Sequence, residues 1–157
     1  MKLVHVLIGK SIIEALLVGT LAVLAFAQAF PPHFYGWGEV TTSGIAGWAV
    51  NDALPWDRVE VQVFVDQKFV ANGVANLSRP DVLAAGWSKD EWHGYAFSIG
   101  SLQPGTHEAR VYAMHLSGGG TRRTLQLLGD PIPFSVDEWG RLSSLSRDAL
   151  ELNLTGK

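Results

Sequence analysis

Arg79 and Asp81 flank Pro80 in the stretch SRPDV. A guanidinium and a carboxylate two residues apart on a proline-stiffened loop could hold a sugar hydroxyl or a carboxylate ligand. The simpler expectation is that the pair pins its own loop to the surrounding fold. Histidines 5, 33, 93, 107 and 115 raise the question of metal, but no two have the i, i+4 spacing of a helical zinc site. His107 and His115, eight apart on one strand face, would be separated by about 25 Å, too far to share an ion. His107 follows Pro104-Gly105 closely and reads as a strand-start residue. Serines 98, 101, 117, 143, 144 and 146 lack the Gly-x-Ser-x-Gly elbow of a nucleophile. The Gly118-Gly119-Gly120 run ends in Thr121-Arg122-Arg123 without the Gly-Lys-Ser/Thr of a phosphate loop, and reads as a hairpin tip. Asn76-Leu77-Ser78 and Asn153-Leu154-Thr155 match the short glycosylation sequon. These residues point to no catalytic, metal or cofactor site, so the expectation is a protein that is not an enzyme.

The tryptophans are a different matter. Trp37, Trp56, Trp87, Trp92 and Trp139 fall largely in expected loops, and loops lie on surfaces. Exposed tryptophan serves protein interfaces and sugar-stacking platforms alike, whereas the plainer role is to cap the ends of a core. Trp87 and Trp92, with Arg79 and Asp81, form the candidate partner or ligand surface.

Bulk properties narrow the partners. The 157 residues carry a formal net charge of -3, with a pI near 5.9, so no basic field draws in nucleic acid. Cysteine is absent, which removes disulfides, thiol nucleophiles and thiolate metal sites.

The elements that must position these residues begin with an apolar run. From Ser11 to Phe30 the only ionisable residue is Glu14, and twenty helical residues rise about 30 Å, the thickness of a bilayer hydrocarbon core. Lys2 and Lys10 precede the run and no basic residue follows until Arg58. This asymmetry places the N-terminus in the cytoplasm and the remainder outside the inner membrane. Phe30, Phe34, Tyr35 and Trp37 then form an aromatic cluster of the kind found at membrane interfaces, and Pro31-Pro32 ends the helix. Glu14, Gly19, Ala22 and Ala25 suit close packing against neighbouring spans. The rival is a signal peptide: Ala25-Phe26-Ala27 and Ala27-Gln28-Ala29 both offer small residues to a signal peptidase. A third alternative, a pilin-like leader ending at Gly9 with Glu14 five residues on, is opposed by the apolar MKLVHVLIG and by Lys10 where an aromatic residue is usual.

Beyond Trp37 the pattern alternates. VEVQVFV puts Val59, Val61, Val63 and Val65 on one face, and Asp66-Gln67 make a two-residue turn into KFVANGVA. SGIAGWAV, GYAFSI, HEARVYAMHL, TLQLL and IPFSV supply further strands, with Pro133 suggesting an edge. Six or seven short strands predict a two-sheet antiparallel sandwich, with a small barrel as the alternative. Leu142, Leu145, Ala149 and Leu152 have helical spacing and suggest a short helix or a tail. The expected division is an anchor over 1–35, a β-sandwich over 36–137 and a tail over 138–157.

GIAGWAVND, VEVQVFVDQKFVANGVANLSRPDVLAA, GYAFSI and LQPGTHEARVYA together resemble an immunoglobulin-like β-sandwich module of bacterial secreted and surface proteins, over about Gly44 to Ala113. Gln67 stands where that module has a turn glycine, and Trp87 to His93 is an insert. The resemblance implies an immunoglobulin-like sandwich and a non-catalytic role, with no ligand attached. Combined with the apolar segment, it gives two functional expectations. One is a single-span structural or accessory subunit of a larger membrane complex, respiratory or photosynthetic being one setting, with a domain in the periplasm or outside the cell. The alternative is a secreted or surface module binding carbohydrate or cell wall after cleavage at Ala27.

Overall fold

The computed structural model describes residues 2–29, 32–117 and 120–145. An apolar helix α1 (Lys2–Ala29) precedes a two-sheet antiparallel β-sandwich. No residue of its Ile8–Ala25 window is buried, and this window is long and apolar enough to cross a membrane. Strands β1 (Phe34–Thr41) and β2 (Gly44–Asn51) form a hairpin, followed by β3 (Glu60–Val65) and β4 (Lys68–Val74). A two-residue strand β5 (Leu77–Ser78), a single-turn helix α2 (Pro80–Ala84) and β6 (Trp92–Ser98) come next. The chain ends its described course with β7 (Gly105–Ser117), β8 (Arg122–Leu127), β9 (Ile132–Val136) and β10 (Leu142–Ser144). One sheet has the order β1-β2-β6-β5. The other runs β10-β9-β7-β3-β4, with β8 pairing the second half of β7.

Alternation along the strands makes the core. Val61, Val63 and Val65 face inward from β3 and meet Ala109, Val111 and Ala113 of β7, Phe134 of β9 and Ile45 and Tyr95 of the opposite sheet. Gly38 and Gly47 make room for the Tyr95 ring. A Cβ on Gly47 would lie 2.0 Å from the Trp37 carbonyl oxygen and 2.4 Å from the Tyr95 hydroxyl, and that hydroxyl donates to the Trp37 carbonyl at 3.0 Å. The β3–β4 turn has two residues, as expected, with Asp66 at φ 49° and Gln67 at φ 67°. Gln67 therefore takes the left-handed conformation without being glycine.

Four expectations change. Phe34 is 5% exposed and belongs to the core, because β1 begins there and points it inward; it is not an interface residue. The segment from Phe34 to Thr41 is a full strand paired along its length with β2. Pro133 lies in an interior strand. The Pro133 carbonyl accepts from the Leu145 amide, just past β10, and a residue's N and O point to the same side in an antiparallel pair. The missing donor thus faces the end of β10, and the β7 ladder is intact. Leu142 starts strand β10 rather than a helix, since it continues the sheet beside Val136; Ala149, Leu152, Ser146 and the Asn153 sequon lie outside the described residues, as do Phe30, Gly118 and Gly119.

The register defines two poles. The near pole, where the chain arrives from α1, carries the start of β1, the end of β2, the starts of β3 and β6, the end of β7 and the start of β8. The far pole carries the β1–β2 and β3–β4 turns, the start of β7 and the β9–β10 turn.

Candidate functional site: an aromatic face and its pole

In β1 and β2, residues paired directly across the ladder project to the same side. Trp37 therefore shares the outer face of the four-stranded sheet with Trp48, and Tyr35 with Val50. Gly94 of β6 lies beside Trp48 on that face. The loop after α2 folds Trp87 over it: its ring centroid is 5.2 Å from Tyr35 and 6.0 Å from Trp48. His33 extends the row at 4.7 Å from Tyr35. Glycine is required at position 94 because a Cβ would meet the Arg79 side chain at 2.8 Å and the Leu77 carbonyl at 2.9 Å. Arg79 in turn grips Asp81 through two contacts, Nε to Oδ1 at 2.8 Å and Nη2 to Oδ2 at 2.6 Å. The guanidinium holds the Asp81 carboxyl down at about 2. Both members of the sequence-derived pair are thus engaged with one another, a bidentate clasp within the loop rather than the expected tie from the loop to the surrounding fold.

At the near pole a charged cluster ties two loops together. Arg58, in the β2–β3 loop, donates to the Trp56 carbonyl at 3.0 Å and to Asp90, in the loop before β6, at 3.1 Å. Asp90 accepts from the Trp92 amide at 2.9 Å, the Ser88 hydroxyl donates to the Asp90 carbonyl at 2.6 Å, and the Lys89 amide reaches the Pro55 carbonyl. His93 is fully buried beneath, with Nε2 3.3 Å from Arg58 and 3.4 Å from Asp90. Burial pushes its pKa down despite the carboxylate, so the ring is neutral near pH 7. The two loops present Trp56 (58% exposed) and Trp87 (49%), and the start of β6 presents Trp92 (47%).

A second cluster locks the far pole. His107 Nδ1 lies 2.7 Å from Asp66 Oδ2, and Nε2 lies 2.8 Å from the Gln103 carbonyl. Both partners only accept, so both ring nitrogens must donate and the imidazolium is the species that fits. The hydrogen bond that His107 donates to the Asp66 carboxylate raises the His107 pKa and lowers that of Asp66.

The outer face of the six-stranded sheet carries a third feature. Phe64 packs edge-on to Phe69 at 5.7 Å and to Tyr112 at 5.5 Å, and a shallow depression of about 370 Å³ is lined by Phe64, Gln67, Arg110, Tyr112 and Leu125. Phe69, Leu116, Leu125 and Leu127 are exposed.

On α1, Glu14 pairs with Lys10 at 3.6 Å, and Gly19, Ala22 and Ala25 are all exposed. Among the described residues no group of three or more His, Cys, Asp or Glu side chains could hold a metal ion. The structure thus brings Trp87 together with Tyr35 and leaves Trp92 at the adjoining pole. Missing from the sequence reading were Trp48, Arg58, Asp90 and the Asp66–His107 pair, whose members lie tens of residues apart. Phe64 could have been found, since it occupies the alternate face of VEVQVFV. Comparison with family models, curated proteins and solved structures finds no match for this chain.

Proposed function

We propose that this protein is a non-enzymatic, single-span membrane protein whose β-sandwich lies outside the cytoplasm and serves as a structural or accessory subunit of a larger membrane complex. The observation that carries the reading is α1: its apolar window has no residue buried against the sandwich, so its side chains need another apolar environment, and a bilayer of matching thickness supplies one. The outer face with exposed Phe69 and Leu125 beside half-buried Phe64 and Tyr112 supports a protein partner, since aromatic residues concentrate at interface cores. Lys2 and Lys10 on one side of the window support a cytoplasmic N-terminus. Resemblance to an immunoglobulin-like module accords with a non-catalytic domain. The test is extraction in mild detergent, with the intact mass and co-purifying proteins determined in one sample. A chain that keeps residues 1–27 and brings stable partners supports the reading. A soluble chain starting at Gln28 or Phe30 overturns it.

One observation favours a second reading. The Tyr35, Trp48 and Trp87 rings form a row on a sheet face, and such a row suits sugar stacking by a cleaved, secreted module. Saturable tryptophan fluorescence changes against a polysaccharide panel would select that reading.

A further inference from the structure

Resting on the anchored reading, we infer that the near pole of the sandwich seats in the phospholipid headgroup layer around α1, through Leu54, Trp56, Trp87 and Trp92 on one side and Arg122 and Arg123 on the other. Chain geometry comes first. His33 is four residues beyond Ala29, so their Cα atoms lie at most about 14 Å apart. The His33 carbonyl accepts from the Asp52 amide at 2.9 Å, which fastens the β2–β3 loop to the point where the chain enters the domain. Trp56 is four residues beyond Asp52, again within about 14 Å. The loops that carry the exposed aromatics therefore cannot be far from the end of the span.

Their chemistry fits that depth. Tryptophan concentrates at the membrane–water boundary because an apolar ring and a polar N–H suit its two sides. Leu54 and Trp56 are both exposed on the β2–β3 loop. The Arg58–Asp90 bridge between the loops fixes Trp56 and Trp92 in place, so little ordering entropy opposes their insertion. On the opposite sheet, β7 ends and β8 starts at the same pole, and Gln126 of β8 bonds to the Phe34 backbone at 2.7 Å. The exposed Arg122 and Arg123 at that hairpin tip can reach lipid phosphates. Loops 52–58, 85–91 and 120–123 contain four basic and four acidic residues, so there is no net repulsion from a phospholipid surface. The far pole bears Trp139, 76% exposed, and eight strand residues of β1 place it about 26 Å farther out. It serves as an internal control.

The test uses the full chain reconstituted in phosphatidylcholine vesicles containing a lipid with a nitroxide on its headgroup, with tryptophan emission measured for wild type and variants. The Trp56→Phe/Trp92→Phe variant should lose roughly half of the quenchable emission, as expected if these rings lie at headgroup depth. Trp139→Phe should leave quenching unchanged, and Arg122→Glu/Arg123→Glu should weaken it. Circular dichroism checks that each variant is folded. An alkaline carbonate wash separates the two ideas. Protein retained by the vesicles, with quenching unaffected by the Trp56/Trp92 substitutions, overturns the seating alone. Protein released by the wash overturns the anchor, and the seating with it.

Discussion

Replacing His107 with glutamine should remove a pH-dependent share of the sandwich's stability, and the sign follows from the two partners. The ring sits between the Asp66 carboxylate and the Gln103 carbonyl at 2.7 and 2.8 Å, and the Asp66 carboxylate also accepts from the Glu108 amide at 3.1 Å. A hydrogen bond to a charged group is worth about 1.5–3 kcal/mol when desolvated. The Asp66 side chain is half exposed, so solvent screening brings the expected net value to about 1 kcal/mol. His107 has its pKa raised above the unfolded 6.5. Its contribution is complete below that pH and disappears as pH rises through the folded value. Asp66 is lowered from 3.8, so its contribution is complete above 3.8 and disappears as pH falls through the folded value. Together they give a plateau between about 3.8 and 6.5.

The wild-type curve alone is not diagnostic, because His93 acts in the opposite sense. Burial lowers its pKa, so acid favours the unfolded chain below 6.5 and stability rises with pH there. The informative quantity is the difference between wild type and His107→Gln. Thermal unfolding of the full chain in detergent, followed by tryptophan emission at pH 5.5 and 8.5, measures it. Wild type should exceed the variant by about 1 kcal/mol at pH 5.5, roughly 4 °C in Tm, and the gap should shrink at pH 8.5. A gap that is constant or grows with pH would refute the doubly donating imidazolium.

Gly47→Ala should lower stability by about 2–3 kcal/mol in urea unfolding, since the added carbon meets the backbone at Trp37 and the Tyr95 hydroxyl. Tyr95→Phe should cost about 1 kcal/mol by the same assay, through loss of the buried bond to Trp37. Gln67→Gly should raise stability by about 0.5 kcal/mol, because glycine adopts φ 67° without the Cβ penalty but loses more entropy on folding. Phe69→Ser/Leu125→Ser, both on the outer face, should cost about 1 kcal/mol through the lost Phe64 contact and leave the sandwich folded, while reducing the yield of co-purifying partners in detergent extracts.

Elements with strong periodicity were legible before the structure. The alternating valines from 59 to 65 became β3, Asp66-Gln67 became the expected turn, and the apolar run became a helix. Strand β1 was not legible because its inward positions include Gly36 and Gly38, so FYGWGEVT shows no apolar alternation. Those glycines are needed where Leu128 and Tyr95 press against the strand. Pro133 misled because the rule for proline concerns its lost donor, and the side that donor faces depends on register. The polar clusters were hidden for another reason. Arg58 meets Asp90, and Asp66 meets His107, across 32 and 41 positions, a separation no local pattern encodes.

Those two clusters also bear on what the domain does. The residues best suited to chemistry are a neutral buried histidine with an arginine and a carboxylate, and a cationic histidine with a carboxylate. In each, the polar atoms hold loops. Arg58 and Asp90 join the β2–β3 loop to the loop before β6, and Asp66 and His107 fasten the β3–β4 turn to the start of β7. A general base must present its lone pair to a substrate, yet both His107 nitrogens face protein acceptors, and His93 is fully buried. The surface also carries apolar features: the Phe64 face, the Tyr35–Trp48–Trp87 row and the Trp56–Trp92 pole. A frame that fixes its loops with charge and exposes rigid aromatic rings suits lasting contact, in keeping with the proposed role as a fixed subunit beside the bilayer.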